Sequence, residues 1–185
     1  LLFEEKDQFL CCLPLNHIGG LAVIIRALIY GFSVNLISNF DAINVNNAIS
    51  NNPVTIISLV PTMLKRILSI DEGLNSLQSL RYILLGGGPS PESLLDYCIE
   101  NHLPIVKVYG MTETCSGTFG LKVLEEPHNK LYAGRPFPGI KAWIENGTIH
   151  ISGDVVMAGY LNEELVNGVH DSNDLGHMDD DLLFL

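Results

Sequence analysis

Short apolar runs alternate with stretches of helical periodicity through the first 108 residues of this 185-residue chain. Five runs have the length and composition of strands: residues 8–14, 32–37, 54–58, 80–85 and 104–108. Four segments between them, residues 19–30, 42–51, 61–69 and 91–101, carry apolar positions at helical spacing. The alternation predicts an α/β fold with a doubly wound, largely parallel sheet covered by helices on both faces.

The pattern changes after about Phe119. Residues 140–145 and 148–152 flank Asn146-Gly147, a dipeptide typical of a two-residue hairpin. Residues 170–181 are acidic and turn-like in composition, and residues 182–185 have the character of a strand. We therefore expect an α/β subdomain over residues 1–118 and part of a small β-rich subdomain over residues 119–185.

Charge restricts the kind of ligand. Ten Lys and Arg residues against 21 Asp and Glu give a formal net charge of -11, and the basic residues form no run, so binding to nucleic acid is not expected. Backbone N–H groups, helix N-termini or a metal ion would have to supply positive potential for an anionic ligand.

Targeting and redox features are few. The four cysteines form no C-x-x-C pair, and adjacent Cys11 and Cys12 are expected on opposite faces of a strand, so no disulfide framework is predicted. Residues 19–37 are apolar, but Arg26 lies near their centre, which favours a buried helix followed by a strand over a membrane span. The acidic start does not suit a signal peptide, so we expect a cytoplasmic protein, and a chain that begins with Leu1 is expected to be a fragment.

Ligands of doubly wound sheets bind beyond the carboxyl ends of the strands, which directs attention to three loops. Gly86-Gly87-Gly88-Pro89-Ser90-Pro91 lets a ligand approach the backbone closely, although a tight strand-to-helix turn is the alternative. The second loop is Tyr109-Gly110-Met111-Thr112-Glu113-Thr114. In it, Tyr109 could stack on a base, Thr112 could donate a hydrogen bond to a phosphate, and Glu113 could bind a Mg²⁺ ion. His17 begins a helix beside Gly19 and Gly20, either in a site or as a structural histidine.

Two weaker candidates remain open. His170, Asp174 and His177 could act as metal ligands, but a solvated acidic turn explains them better. Cys115 follows the Tyr-Thr-Glu loop and could be a nucleophile or a small residue of a pocket wall.

These motifs together carry a family resemblance. L-P-L-N-H-I-G-G, L-L-G-G-G-P-S-P, V-Y-G-M-T-E-T, A-G-R-P-F-P-G, G-D-V-V-M-A-G-Y-L-N and D-L-G-H-M-D-D-D occur in the order seen in the adenylate-forming acyl-CoA synthetases. The resemblance covers nearly the whole chain. Within that superfamily the chain most resembles the 2-succinylbenzoate–CoA ligases of menaquinone biosynthesis.

The resemblance implies that a carboxylic acid is activated with ATP and Mg²⁺ as an acyl-adenylate and then transferred to CoA. It assigns catalytic roles to His17, Thr112 and Glu113, with Glu113 also the Mg²⁺ ligand. It further assigns nucleotide binding to Gly87, Gly88, Pro89, Tyr109, Gly110, Met111, Thr112 and Asp174, and binding of the acid to His17, Gly19, Gly88 and Gly117. Many relatives form dimers, so a homodimer is a further expectation.

The sequence departs from the family at several points. Asn16 stands where an aromatic residue is common, and Ser172-Asn173-Asp174 replaces the usual Thr-Gly-Asp. The family's phosphate loop and its C-terminal lid, each with a lysine, are not in these 185 residues, so we expect that this chain alone cannot catalyse ATP–pyrophosphate exchange. A ligase for another aromatic or aliphatic acid, or a noncatalytic nucleotide-binding module, remains the alternative.

Overall fold

The computed structural model describes residues 3–185, so the expectation that rests on Leu1 lies outside the described residues. A seven-stranded main sheet has the order β2-β1-β3-β4-β5-β6-β7. Its parallel strands are β1 (Gln8–Cys11), β2 (Ser33–Leu36), β3 (Ile56–Leu59), β4 (Tyr82–Leu85) and β5 (Ile105–Met111), and β6 (Ser116–Lys122) and β7 (Arg135–Pro136) add antiparallel strands. The predicted largely parallel sheet is confirmed.

All four predicted helices are present, and a fifth short one was not predicted. The helices are α1 (Ile18–Tyr30), α2 (Ala42–Asn51), α3 (Pro61–Leu68), α4 (Gly73–Gln78) and α5 (Glu92–Glu100). Pro61 lies in the first turn of α3, where its missing N–H costs nothing. The unpredicted α4 has only six residues and follows Glu72, whose φ of 62° breaks the chain direction.

Two apolar cores cover the two faces of the main sheet. On one face, Leu10, Ile57 and Ile83 pack against α2, α3, α4 and α5. On the other face, Phe9 and Ile56 pack with Val23 of α1 and with Phe32. Helices thus lie on both faces, as a doubly wound sheet requires.

Residues 19–37 form α1 and β2 rather than a membrane span. Among residues 3–185, no helix has the length and apolar character to cross a bilayer. The expectation of a buried helix holds for only one face of α1, because Leu28 is 82% and Ile29 68% exposed on the outer face. The four cysteines are free, and Cys11 and Cys12 pack into opposite cores, as predicted.

The remaining strands form two small sheets. β8 (Lys141–Glu145), β9 (Thr148–Ser152) and β10 (Val169–Leu175) form one, and β11 (His177–Asp179) and β12 (Leu182–Phe184) form the other. The hairpin at Asn146-Gly147 is confirmed, with φ of 51° and 87° at its two turn residues. The predicted subdomain division after residue 118 stays a prediction; β6 of the main sheet spans that position.

The expectation that residues 170–181 form a turn was wrong. These residues lie largely in β10 and β11, but the pairing of β10 with β9 is interrupted between Asp171 and Leu175. Asn173 adopts φ of 58° within this bulge. Turn-forming residues therefore occur inside a strand, where they make a bulge that carries Asp174.

A third core joins the small sheets to the main sheet. Phe119 of β6, Ile149 and Ile151 of β9 and Leu183 of β12 are fully buried in it, and Tyr109 packs against its edge. This core brings the bulge of β10 beside the end of β5.

Candidate active site

A cavity of about 470 Å³ lies at the carboxyl ends of the parallel strands. Its walls come from the loop after β1, from α1, from the ends of β3 and β4 and the residues that follow them, and from α3, β5 and β6. The lining residues are Leu13, Pro14, His17, Ile18, Gly19, Gly20, Arg26, Ser58, Leu59, Val60, Met63, Leu84, Gly86, Gly87, Val108, Gly110, Ser116 and Gly117. Residues of all three loops that the sequence singled out line the cavity, and Ser58, Leu59 and Val60 at the end of β3 line it as well. The volume is in the range of small-molecule sites, about 300–1,000 Å³.

Glycines make the cavity possible by letting backbone segments approach closely. A Cβ atom at Gly110 would lie 1.9 Å from the carbonyl oxygen of Ser116, and one at Gly117 would lie 2.3 Å from a methyl group of Val108. Across the cavity, a Cβ at Gly20 would lie 2.4 Å from the carbonyl oxygen of Pro14. Larger residues at these positions would displace the walls.

Of the predicted acid-binding residues, His17, Gly19 and Gly117 line the cavity, whereas Gly88 does not. His17 is the N-cap residue of α1, and its side chain makes no capping hydrogen bond. Its exposed imidazole is therefore available to a ligand at the cavity mouth, although this role stays a prediction.

Among the described residues that line the cavity, Arg26 alone carries a permanent charge, and it was not predicted as a site residue from the sequence. It extends from α1 and makes no hydrogen bond or ion pair within residues 3–185. Burial lowers the pKa of its guanidinium, which indicates that the cation lacks solvation in this environment. An isolated charge in an otherwise apolar helix was the available signal in the sequence.

Tyr109 and Asp174, 65 residues apart in the chain, lie in direct contact. The Tyr109 hydroxyl donates a hydrogen bond to Oδ2 of Asp174 at 2.7 Å, and its ring packs edge-on against Phe119. Burial and the neighbouring carboxylate both raise the pKa of the Tyr109 hydroxyl. The structure thus brings together the residue predicted to stack on adenine and the residue predicted to bind ribose.

Asn173 explains how this chain tolerates a departure from the family motif. The residue has φ of 58°, a conformation that glycine adopts freely and that asparagine tolerates better than most residues. Replacement of glycine by asparagine therefore keeps the backbone that presents Asp174.

Thr112, Glu113 and Thr114 form a single 3-10 turn directly after β5. Buried Thr114 anchors the turn, because its hydroxyl accepts a hydrogen bond from the Met111 N–H at 3.3 Å. Thr112 is exposed, and the Glu113 carboxylate accepts a hydrogen bond from the Tyr160 hydroxyl at 2.7 Å. This hydrogen bond is the main reason that the pKa of Glu113 is lowered.

The remaining predicted nucleotide residues flank the cavity. Gly87 and Gly110 line it, Gly88 and Pro89 are exposed in the adjoining loop, and Met111 packs at the edge of the third core. Thr112 and Glu113 stand beside the cavity, between Gly110 and Ser116 of its wall. Their contacts with a nucleotide stay predictions.

The weaker candidates separate in the structure. His170 and Asp174 lie in β10 and His177 in β11, and no cluster of three or more His, Cys, Asp or Glu side chains within residues 3–185 could hold a metal ion by itself. Cys115 is exposed, has φ of 54° and leads the chain from the turn into β6.

Comparison with known proteins gives consistent matches. Residues 1–161 match the family described as AMP-binding enzyme. The 2-succinylbenzoate–CoA ligase of Bacillus licheniformis is 40% identical over 194 residues, which cover 96% of this chain and 40% of that protein. The chain thus spans about two fifths of the length of this relative.

Solved structures agree with the sequence matches. The o-succinylbenzoate CoA synthetase of Bacillus subtilis in complex with the acyl-adenylate intermediate OSB-AMP superimposes with a TM-score of 0.89 at 35% identity, over 99% of this chain and 41% of that chain. The same enzyme in complex with ATP and magnesium ion gives a TM-score of 0.88 at 35% identity, over 99% and 42%. The predicted superfamily is confirmed, and the chain belongs to the AMP-binding enzyme family.

Proposed function

We propose that this chain forms the acid- and nucleotide-binding part of an AMP-forming acid–thiol ligase that converts 2-succinylbenzoate, ATP and CoA into 2-succinylbenzoyl-CoA, AMP and pyrophosphate in menaquinone biosynthesis. One observation carries the proposal: an apolar cavity with a single cation, Arg26, opens beside the turn that holds Thr112 and Glu113. The names of the relatives support the choice of substrate.

The cavity matches the chemistry of 2-succinylbenzoate, which has an aromatic ring and two carboxylates. Leu59, Val60 and Met63 offer apolar contacts to the ring. Arg26 would bind the carboxylate that is not activated. The guanidinium and the carboxylate would then neutralise each other, whereas each charge alone is costly to bury. The other carboxylate would face Thr112 and His17, where the α-phosphate is expected.

The nucleotide would lie between the end of β5 and the bulge of β10. Tyr109 would stack on adenine, and Asp174 would accept hydrogen bonds from the ribose hydroxyls. Thr112 would donate to an α-phosphate oxygen. The loop of Gly87, Gly88 and Pro89, together with the backbone at Gly110 and Met111, would border the adenine and the acyl group.

Glu113 fits a Mg²⁺ ion that arrives with ATP. Its carboxylate is partly exposed, and acceptance of one hydrogen bond at Oε1 leaves further lone pairs for a cation. Mg²⁺ is usually held by one or two carboxylates together with substrate phosphates rather than by a cage of protein ligands. The ion would neutralise charge on the phosphates during transfer.

The reaction would proceed in two displacements. An oxygen of the acid attacks the α-phosphorus of ATP, the bond from that phosphorus to the bridging oxygen breaks, and pyrophosphate leaves with the electron pair. The CoA sulfur then attacks the acyl carbon, the bond to AMP breaks, and the thiol proton passes to solvent. The chain would contribute mainly by positioning the reactants and stabilising charge.

A cytoplasmic location and a homodimer are further parts of the proposal. ATP and CoA are available in the cytoplasm, where we place the enzyme. The family resemblance implies a homodimer.

The test is an assay of AMP formation by the full-length protein with ATP, Mg²⁺, CoA and a panel of acids that includes 2-succinylbenzoate, benzoate and hexanoate. We expect turnover with 2-succinylbenzoate, and collapse of AMP formation in Glu113→Gln and Thr112→Ala. Arg26→Met removes a charge-assisted contact of about 1.5–3 kcal/mol, so the KM of this variant for 2-succinylbenzoate should rise about 10-fold to 150-fold.

Arg66→Met is the matched control, because Arg66 is exposed on α3 and is not a lining residue of the cavity. An unchanged KM for 2-succinylbenzoate in Arg26→Met would show that Arg26 does not bind the acid. Turnover with another acid alone would keep the ligase reaction and reject the substrate. Nucleotide binding without turnover of any acid would favour the noncatalytic module.

A further inference from the structure

The segment that follows β9 is fastened to Glu113 at two points. The Met157 N–H donates to the carbonyl oxygen of Glu113 at 2.8 Å, and the Tyr160 hydroxyl donates to Oε1 of its carboxylate at 2.7 Å. One hydrogen bond holds the main chain of Glu113 and the other holds its side chain. The segment therefore fixes both the place and the direction of this carboxylate.

A compact turn directs Tyr160 toward Glu113. The Val166 N–H donates to the carbonyl oxygen of Ala158 at 2.7 Å, and the Glu163 N–H donates to that of Tyr160 at 3.2 Å. Gly159 has φ of 148°, where a Cβ atom would lie 2.9 Å from the carbonyl oxygen of Glu164. The turn thus needs glycine at this position, directly before Tyr160.

We propose that Tyr160 is a positioning residue for the metal-binding carboxylate: it holds Oε1 of Glu113 so that the remaining lone pairs face an incoming Mg²⁺–nucleotide complex. The inference rests on the proposed function, because Glu113 is the metal ligand only there. A glutamate side chain loses considerable rotational freedom when it binds a cation. A carboxylate that Tyr160 has already ordered loses less on binding.

Tyr160 does not contribute to the three apolar cores of the protein. Its side chain is 52% exposed, and its ring belongs to none of the three cores. Tyr160→Phe therefore removes the hydroxyl and leaves the fold intact, which makes the variant a clean test.

The experiment measures metal binding directly, with Mn²⁺ as the probe. Full-length protein saturated with α,β-methylene-ATP is titrated with Mn²⁺, and free Mn²⁺ is followed by electron paramagnetic resonance. Loss of a hydrogen bond that orients a metal ligand typically weakens metal binding or activity by about 10-fold to 100-fold. We expect the Kd for Mn²⁺ to rise by about 10-fold in Tyr160→Phe. The Mg²⁺ concentration that gives half-maximal AMP formation should also rise in this variant, whereas kcat at saturating Mg²⁺ should change little.

Tyr132→Phe is the matched control. The Tyr132 hydroxyl also donates to a carboxylate, Oδ2 of Asp179 at 2.6 Å, but this pair lies between β11 and the start of β7, and neither residue lines the cavity. Tyr132→Phe should bind Mn²⁺ like the wild type, and Glu113→Gln should bind it poorly.

Wild-type affinity for Mn²⁺ in Tyr160→Phe would overturn the positioning role, whatever the turnover. An equal loss of affinity in Tyr132→Phe would also overturn it, because the effect would then be unspecific. Weakened Mn²⁺ binding in Tyr160→Phe alone, in a protein that turns over no acid, would support the positioning role and overturn only the ligase function.

Discussion

A Cβ atom at Gly88 would meet no heavy atom within 4 Å, unlike one at the neighbouring Gly86, which would lie 2.6 Å from the carbonyl oxygen of Val108. We therefore expect Gly88→Ala to change the free energy of unfolding by no more than about 0.5 kcal/mol. If the loop closes on a nucleotide, the added methyl group should weaken binding by about 1–3 kcal/mol. Chemical denaturation and calorimetric titration with AMP measure the two effects.

Gly87→Ala is the control for this prediction. Gly87 has φ of 73°, so alanine there is strained whether or not a ligand is bound, and stability should fall. Unchanged AMP affinity in Gly88→Ala would show that Gly88 does not contact the nucleotide.

At the scale of single residues, the sequence could predict groups that a short motif specifies. Tyr109, Thr112 and Glu113 are neighbours in the chain, and they lie together at the end of β5, as predicted. Arg26 was interpreted only as an argument against a membrane span. Its place in the cavity depends on the rotation of α1 about its axis, which is set by packing of Ala22 and Val23 against the sheet.

At the scale of elements, the junction of β5 and β6 offers the sharpest test. The two strands pair with a register shift between Tyr109 and Gly110, and a Cβ atom at Gly110 would lie 1.9 Å from the carbonyl oxygen of Ser116. Because backbone cannot yield as a flexible side chain does, Gly110→Ala should lower the free energy of unfolding by about 1–3 kcal/mol. Urea denaturation measures the change.

Gly88→Ala is the comparison for Gly110→Ala, because it is the same substitution at a position where the new Cβ atom meets no heavy atom within 4 Å. Equal stability of the two variants would mean that β5 and β6 separate more easily than their close approach indicates.

Elements with an apolar pattern were predictable, and elements defined by their partners were not. The buried strands β3 and β4 were recognisable because, apart from Ser58 in β3 and Tyr82 in β4, their residues are aliphatic on both faces of the sheet. β10 has the sequence V-H-D-S-N-D-L, in which polar residues dominate, so composition indicated a turn. Its strand character comes from pairing with β9, which residues 169–175 do not encode by themselves.

At the scale of the whole molecule, Lys107 should affect how stability depends on pH. Its ammonium group donates a hydrogen bond to the carbonyl oxygen of Lys130 at 2.8 Å, and burial lowers its pKa from 10.5 to about 8. Between these two values the unfolded chain binds the proton and the folded protein does not, so this residue makes the folded state more stable as pH rises. The gain is about 1.4 kcal/mol per pH unit.

The measurement compares the wild type with Lys107→Met between pH 7 and pH 10. Raised pKa values of Cys12 and Cys98, both about 12, oppose the trend above pH 9, but they contribute equally to both proteins. We expect the stability of the wild type relative to the variant to rise above pH 8. If the difference in the free energy of unfolding between the two proteins does not change with pH, the pKa of Lys107 is not lowered in the folded state.

The overall architecture was predictable in part. Alternation of strands and helices predicted the main sheet, and Asn146-Gly147 predicted the hairpin of the small sheet. The contact between these two parts was not predictable, because it rests on Phe119, Ile149, Ile151 and Leu183, which are separated along the chain and meet only in three dimensions.

The pairs Tyr109–Asp174 and Tyr160–Glu113 join residues 65 and 47 positions apart. Contacts between such distant residues form late in folding, since a long loop must close before they are made. Under the proposed function a nucleotide would need both carboxylates, so it could not assist the early steps of folding. It would bind only protein molecules in which these contacts have already formed. Added nucleotide should therefore slow unfolding of the folded protein and leave the folding rate unchanged.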